Sequence, residues 1–294
     1  MTADDFGLHT AVNEAVERAT CAGVLTAASL MVSGSASADA VRRARNLPKL
    51  RVGLHLVLAD GHSVLPRERI PALVDADGRF GNRMLVDGLR FFALTSVRRQ
   101  LEAEIRAQFE AFAATGLPLD HVNAHKHFHL HPTLLEMLLR IGRDFGLGAE
   151  INQSRAGVRV PAEPLWMARN KLAPRFGSIL LSPWLARMKH RLRAAGVAYS
   201  DQVFGVIDSG RMCEGRLLDI LARLPAGVSE IYLHPATQSG SDIAPSMRGY
   251  RHSDELAALM SPQVRAAIAA LTAVDVSCGG YSDLPRTFGQ RHAA

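Results

Sequence analysis

The chain has 294 residues, of which 48% are hydrophobic and 21% are charged. This composition excludes a disordered chain, and the length allows one large domain with a full core. The formal net charge of +6 favours an anionic partner such as a membrane surface, or reflects a generally arginine-rich composition. No RNA-binding or helix-turn-helix pattern accompanies the charge, so we do not expect nucleic acid as a partner.

The cysteines and the first residues bear on the cellular compartment. Cys21, Cys213 and Cys278 are far apart and fit neither a disulfide framework nor a zinc-finger spacing, which favours a reducing compartment. Asp4 and Asp5 stand where a secretory leader would carry basic and then apolar residues, so we expect no such signal. These features predict a cytoplasmic protein.

Strands and helices alternate along the first half of the chain. The segment MTADDFG is predicted to end a strand, and the helix after it ends at Gly23. Two apolar strands follow, LTAASLMV and RVGLHLVLA, with the helix SADAVRRARNL between them. A long helix is predicted over residues 95–115, because apolar side chains recur on one face at Leu101, Ile105, Phe109 and Phe112.

The second half continues the alternation. The segment TLLEMLLRIGRDFG is predicted as a helix closed by a glycine. VSEIYLHPA and AVDVSCGGYSDL are predicted as buried strands, and GRLLDILARL as a helix. So many βα units favour a parallel sheet closed into a barrel. We therefore expect an α/β fold, a distorted or incomplete (β/α) TIM-like barrel, as a single domain over residues 1–294.

The segment DHVNAHKHFHLHP, residues 120–132, holds five of the twelve histidines. They are His121, His125, His127, His129 and His131. In an extended segment these side chains would share one face, because their spacing is even. A buried row of imidazoles is hard to explain by packing alone, since every ring nitrogen needs a polar partner. The row predicts metal binding or acid–base chemistry rather than structural histidines.

Further candidate ligands stand at the ends of other predicted strands. Asp4 and Asp5 end the first strand, His55 lies in GLHL on the third, and His234 lies in EIYLHP on a late one. These ends meet on one rim of a parallel barrel, where active sites are built. Each has a simpler explanation alone: the acidic pair suits a helix N-terminus, and a lone buried histidine can be structural.

Four motifs in order, TADDFG, GLHL, DHVNAHKHFHLHP and SEIYLHP, resemble those of the YdjC-like carbohydrate deacetylases. That family contains chito-oligosaccharide deacetylases and the hopanoid-biosynthesis-associated deacetylases called HpnK, which this chain resembles most. The resemblance extends to IPALVDADGRF and GYSDL, and so covers nearly the whole chain. It implies a barrel of the polysaccharide-deacetylase type with one divalent metal ion, with zinc expected first and magnesium or cobalt as alternatives.

The resemblance also implies roles for individual residues. Asp5, His55 and His125 would ligate the metal ion, Asp4 would be the general base and His234 the general acid. His127 and His129 would support the ligands or contact the substrate, and the choice of His125 over them rests on the resemblance.

Two positions depart from the family pattern. Asn123 stands where many relatives have aspartate, yet its side chain can still accept a hydrogen bond from a ligand imidazole. Lys126 lies between the histidines and is expected to face away from them.

Two basic amphipathic segments bear on the substrate. Residues 176–195 carry Trp184, Leu185, Met188 and Leu192 among arginines and lysines, and residues 84–99 are similar. Such segments can lie on an anionic membrane, or can be barrel helices that face the core. We expect an N-acetylated, lipid-linked amino sugar, N-acetylglucosaminyl hopanoid, as substrate, with peripheral contact to the inner face of the cytoplasmic membrane. The alternatives are soluble acetylated chito-oligosaccharides, a catalytically silent sugar- or metal-binding barrel, and a phosphoesterase.

Overall fold

Eight parallel strands form one sheet in the computed structural model. The structure describes residues 1–148, 155–168, 172–240, 242–273 and 276–284. It describes the side chains of the same ranges, except those of residues 172–179. The strands are β1 (Thr2–Phe6), β2 (Ala27–Leu30), β3 (Arg51–Leu56), β4 (His121–Ala124), β5 (Gly157–Val158), β6 (Ala198–Tyr199), β7 (Gln202–Phe204) and β8 (Ser229–Leu233). Their order across the sheet is β6-β5-β4-β3-β2-β1-β8-β7.

The sheet curls because its two outer strands are near neighbours in the chain. β6 ends at Tyr199 and β7 begins at Gln202, so the two edges are joined by a segment that spans at most about 11 Å. Among the described residues, the two edges do not pair with each other. This geometry is an incomplete (β/α) barrel, which confirms the predicted fold class.

Helices cover the outside of the sheet. They are α1 (Thr10–Ala22), α2 (Ser37–Arg45), α3 (Met84–Ala93), α4 (Thr95–Ala114), α5 (Pro132–Gly142), α6 (Leu172–Ala194), α7 (Glu214–Leu221), α8 (His252–Met260) and α9 (Pro262–Thr272). α4 confirms the helix predicted over 95–115, and its four predicted apolar side chains are buried. The amphipathic segment 84–99 is not one helix, because Leu94 is extended and separates α3 from α4. Within the described ranges, no helix is long and apolar enough to cross a bilayer.

The extended conformation predicted for the histidine segment is wrong beyond Ala124. β4 ends there, and a 3₁₀ segment follows over His125–Leu130. Inside it, Lys126 and His127 have φ angles of 54° and 55°, in the left-handed region. Two successive left-handed residues turn the chain, so the alternation of faces ends at β4.

The strand predicted for AVDVSCGGYSDL is also wrong where the structure describes it. Residues 274–275 lie outside the described ranges, residues 276–280 are irregular, and Tyr281–Asp283 form a short 3₁₀ turn. The backbone N–H groups of Tyr281 and Ser282 donate to the carboxylate of Asp120 instead of to a neighbouring strand.

Candidate active site

A bulge in β1 brings two adjacent carboxylates to the same end of the sheet. The pairing of β1 with β2 shifts register between Ala3 and Phe6, and Asp5 has a φ of 63°. In a regular strand Asp4 and Asp5 would point to opposite faces, whereas a bulge redirects one side chain. Both carboxylates are buried. Aspartate tolerates this left-handed conformation better than most residues do.

Asp5, His55 and His125 form a compact cluster of metal-ligand atoms. Oδ1 of Asp5 lies 3.1 Å from Nδ1 of His125 and 3.3 Å from Nε2 of His55. The ligand atoms of the three residues all lie within 4.8 Å of one another, and the three side chains are buried. Oδ2 of Asp5 is buried without a hydrogen-bond partner among the described residues. One carboxylate and two imidazoles with an unpartnered oxygen fit a divalent metal ion.

Asn123 orients one of these imidazoles. Its Oδ1 lies 2.6 Å from Nδ1 of His55, where it accepts the ring N–H and leaves Nε2 facing Asp5. Its Nδ2 donates to Ser29 Oγ at 2.9 Å and to Asp4 Oδ1 at 3.3 Å. The expected hydrogen bond from an imidazole to the side-chain oxygen of Asn123 is therefore present.

The cluster favours an ionised Asp5. Burial by itself would raise the pKa of Asp5, but the charge of His125 and hydrogen bonds from His125 and His55 hold that pKa well below its usual range. Burial likewise opposes protonation of His55, yet the charge of Asp4 and the hydrogen bond to Asp5 raise the pKa of His55. A cation at this position would meet a negative carboxylate.

Asp4 is held by a buried arginine. Nη1 and Nη2 of Arg159 donate to Asp4 Oδ2 at 2.5 Å and to Oδ1 at 2.9 Å, and Ser29 Oγ donates to Oδ1 at 2.9 Å. Burial opposes ionisation of Asp4, but the charge of Arg159 lowers its pKa below the ordinary value. Asp4 is thus a fixed carboxylate that faces the cavity beside Asp5.

His234 lies at the end of β8, with Nε2 4.0 Å from Asp5 Oδ2. Its backbone is clamped by α8: its N–H donates to Glu255 Oε2 at 2.5 Å, and its carbonyl lies 2.6 Å from Nδ1 of His252. Burial lowers the pKa of His234 to about 4, so its imidazole is neutral at neutral pH.

The five residues predicted for metal binding and catalysis are brought together at one cavity. Its volume is about 160 Å³. It is lined by Asp4, His55, Ala124, His125, Lys126, His127, Val206, Ser209, Tyr232, His234, Ser246, Met247 and Tyr250. Asp5 lies directly behind this lining, in contact with His55 and His125.

The remaining histidines of the segment have separate environments. His127 lines the cavity, and its Nε2 bonds to the hydroxyl of Tyr232 at 2.9 Å. Nε2 of His129 instead donates to the backbone carbonyl of Arg159 at 2.9 Å, and so supports the residue that holds Asp4. His131 packs edge-on against Phe91.

Lys126 does not face away from the site as expected. It lines the cavity and forms an ion pair with Asp60 at 2.8 Å. The left-handed backbone at Lys126 is the reason, because it ends the alternation on which the expectation rested.

Three residues of the site were not predicted from the sequence: Arg159, Tyr232 and Tyr250. A signal for Arg159 was present, because a lone arginine between valines in GVRVP implies a buried charge with a partner. Tyr232 stands two residues before His234 on the same strand, so the two share a face. Tyr250 lies in an irregular segment, where no period marks it.

Comparisons with known proteins bear on the family of this chain. A family model described as "YdjC-like protein" matches residues 1–270. The chain belongs to the YdjC-like family. A carbohydrate deacetylase of Geobacillus stearothermophilus is 28% identical over 271 residues, which are 92% of this chain and 91% of that protein.

Other curated relatives of this YdjC-like chain match over shorter stretches. A carbohydrate deacetylase of Brevibacillus brevis is 39% identical over 145 residues, or 49% of this chain and 55% of that protein. The matched part thus spans about half the length of that relative. A crystal structure from Enterococcus faecalis V583, described provisionally as a cellobiose-phosphate cleavage protein, has a TM-score of 0.66 at 23% identity and covers 92% of both chains. It supports the fold of this YdjC-like chain.

Proposed function

We propose that this YdjC-like chain is a metal-dependent hydrolase that removes the N-acetyl group from an amino sugar, giving the free amine and acetate. The observation that carries the proposal is the buried Asp5–His55–His125 cluster beside Asp4 and His234 at one cavity. The relatives named carbohydrate deacetylase support the same chemistry. A protein that only bound sugar or metal would not need a fixed carboxylate and a second histidine beside the ligands.

The cluster would hold the metal ion through Asp5, His55 and His125. A mixed carboxylate–imidazole set suits zinc, and also accommodates cobalt or magnesium. When bound, such an ion supplies Lewis acidity to a carbonyl group and to water. A phosphoesterase with two or three ions would need more carboxylates than this cluster supplies.

The chain itself supplies proton transfer. In this proposal Asp4, which Arg159 fixes, accepts a proton from the attacking water as general base. His234 in turn gives a proton from Nε2 to the sugar nitrogen, because without that proton the nitrogen would have to leave as an amide anion. Since the resting imidazole is neutral, the proton that His234 gives to the nitrogen balances the one that Asp4 takes from the attacking water, and that water is its source.

Asp4→Asn tests the base. Asparagine has nearly the same size as aspartate, so fold and metal content should persist, while the rate of acetate release should fall at least about 100-fold. Metal content by atomic emission and turnover at saturating substrate are the two measurements. Near-normal turnover in the variant would exclude Asp4 as the base.

We also propose that the sugar is lipid-linked, as in N-acetylglucosaminyl hopanoid. α3 exposes three large apolar side chains: Leu85 is 88% exposed, Leu89 71% and Phe92 66%. A face of this kind on a monomer marks an interaction surface. Its chemistry suits the acyl boundary of a bilayer.

α6 divides into two parts with different environments. Leu180, Leu181 and Trp184 are exposed, whereas Met188 and Leu192 are buried in the core. The second part is thus an ordinary barrel helix, and the first exposes apolar side chains of its own.

Both helices pack against one segment that carries part of the cavity lining. Phe91 of α3 packs on Phe128 with ring centroids 5.3 Å apart, and α6 also packs against the 3₁₀ segment His125–Leu130. That segment carries Lys126 and His127 of the cavity lining. Exposed Arg83, Arg99 and Arg187 flank the apolar side chains and suit an anionic leaflet. We place the protein in the cytoplasm, in peripheral contact with the inner face of the membrane.

Vesicle co-sedimentation tests the membrane contact. The chain should bind anionic vesicles at low salt, and Leu89→Asp should abolish binding while Leu165→Asp, at an exposed apolar residue outside α3 and α6, should not. Absence of binding at low salt would contradict the proposal.

The substrate is tested by acetate release from N-acetylglucosaminyl-bacteriohopanetetrol and from diacetylchitobiose, side by side, with zinc, cobalt or magnesium restored after chelation. Turnover of the glycolipid alone would support the lipid-linked sugar. Turnover of diacetylchitobiose would favour soluble chito-oligosaccharides. No turnover of either, with metal bound, would favour a silent binding protein.

A further inference from the structure

The segment Gly280–Asp283 closes the end of the barrel opposite the cavity. Arg51, the first residue of β3, forms an ion pair with Asp283 through Nη2 at 2.7 Å and Nε at 2.9 Å. The ring of Tyr281 packs on Gly157, the first residue of β5, so closely that a Cβ there would lie 2.2 Å from it. The segment therefore lies at the amino ends of the strands, whereas the candidate site lies at their carboxyl ends.

One chain of buried hydrogen bonds runs from this segment to Asp4. The hydroxyl of Tyr281 donates to Glu230 Oε2 at 2.6 Å. Glu230 Oε1 accepts from Arg159 Nε at 3.0 Å and Nη2 at 2.7 Å, and Arg159 donates to both oxygens of Asp4. All four side chains are buried.

A second chain reaches Asp4 from the adjacent residue. The N–H and hydroxyl of Ser282 donate to Asp120 Oδ1 at 2.9 Å and 2.6 Å. Asp120 Oδ2 lies 2.8 Å from Nδ1 of His121, whose Nε2 lies 2.8 Å from Ser29 Oγ. Ser29 donates to Asp4 Oδ1 at 2.9 Å. Two consecutive residues are thus linked by separate routes to one carboxylate.

We propose that Tyr281 and Ser282 are positioning residues for Asp4, an inference that rests on the base assigned to Asp4 in the proposed function. Arg159 and Ser29 can fix the Asp4 carboxylate only if they are fixed themselves. Glu230 holds Arg159, and His121 holds Ser29, each from the side of the amino ends of the strands. Loss of the Tyr281 hydroxyl leaves Glu230 Oε2 buried without that hydrogen-bond donor. The Glu230–Arg159 ion pair then rearranges, and the guanidinium group of Arg159 moves away from Asp4. Neither route passes through Asp5, His55 or His125.

Tyr281→Phe tests this positioning, because phenylalanine keeps the ring that packs on Gly157 and removes only the hydroxyl. We expect kcat to fall about 10-fold, since small misplacements of a reacting group have effects of this size or larger. KM and zinc stoichiometry should stay within twofold of the parent. Ser282→Ala should lower kcat in the same direction through the second route.

The matched control is Glu104→Gln, at another buried carboxylate that accepts backbone N–H groups, those of Val64 and Leu65. It should leave kcat unchanged. Parental kcat in both Tyr281→Phe and Ser282→Ala would overturn the proposal, as would an equal loss in the Glu104→Gln control.

A second measurement needs no substrate and no metal. In chelated protein, Tyr281→Phe and Asp4→Asn should together shift the urea midpoint by less than the sum of their separate shifts, because each weakens the same network. Additive shifts would overturn the proposal. If the parent releases no acetate from any substrate, the proposed function fails. The comparison of the two single variants with the double variant still decides whether Tyr281 is coupled to Asp4.

Discussion

Asp4 and Asp5 are neighbours in the chain, but their surroundings suit them to different tasks. Asp4 accepts hydrogen bonds from Arg159, Ser29 and Asn123, which fix its carboxylate and leave it to face the cavity. Asp5 faces two imidazoles and keeps one buried oxygen unpartnered among the described residues. Two carboxylates with different partners can divide a reaction between them. The bulge in β1 makes this division available to adjacent residues.

At the same scale, Asn123→Ala should weaken zinc binding about 10- to 100-fold, because His55 would lose the partner that fixes its ring and tautomer. Competition with a chromophoric chelator measures the affinity. Asn123→Asp is the conservative variant and should restore most of the binding, since aspartate also accepts from Nδ1. Equal affinities in all three proteins would show that Asn123 does not orient the ligand.

At the scale of elements, prediction from the sequence succeeded where a regular period existed. The ends of β1, β3 and β8 could be found from the sequence, and with them Asp5, His55 and His234, whereas the choice of His125 within its segment rested on the family resemblance. The turn at Lys126 and His127 could not be found, because neither residue is a glycine or an asparagine that would mark a left-handed backbone. Arg159 was missed because β5 has only two residues and shows no alternation.

The packing of β3 on β4 gives a prediction at this scale. A Cβ at Gly53 would lie 2.5 Å from the ring of His121, so Gly53→Ala should destabilise the protein by about 1–3 kcal/mol. Gly215→Ala in α7 is the matched control, because nothing lies within 4 Å of its Cβ position. It should stabilise the protein slightly, by about 0.4–1 kcal/mol. Urea unfolding measures both, and similar effects of the two changes would contradict the packing argument.

At the scale of the whole molecule, the site exists only when the sheet is complete. Asp5, His55, His125, Arg159 and His234 come from five different strands or strand ends, spread over most of the chain. β1 pairs with β2 on one side and with β8 on the other, so the first and last long strands meet at the site. The alternation of elements predicted this convergence on one rim. It could not predict which edges stay open, because β5, β6 and β7 are too short to be read from sequence.

One buried glutamate, Glu255, and one half-buried glutamate, Glu163, link stability to pH across this structure. Glu163 accepts from the N–H groups of Gly205 and Ile207 at 2.8 Å and 2.6 Å, and Glu255 accepts from those of Met212 and His234 at 2.8 Å and 2.5 Å. Burial raises the pKa of each carboxyl from its ordinary value of 4.5 to about 7.

The direction of the pH dependence follows from these pKa values. The folded chain holds these two protons up to about pH 7, whereas the unfolded chain releases them near pH 4.5. The stability linked to them is fully present below pH 4.5 and is lost as the pH rises through 7, by up to about 3 kcal/mol for each group. We expect the contribution of these two carboxyls to the unfolding free energy of chelated protein to fall between pH 5 and pH 8, against the opposite contribution of His129 and His234, whose pKa values burial lowers to about 4. Glu255→Gln should make this fall shallower, whereas Glu68→Gln at an exposed residue should leave it unchanged. A parental slope in Glu255→Gln would show that Glu255 does not carry the proton, because glutamine cannot release one at any of these pH values.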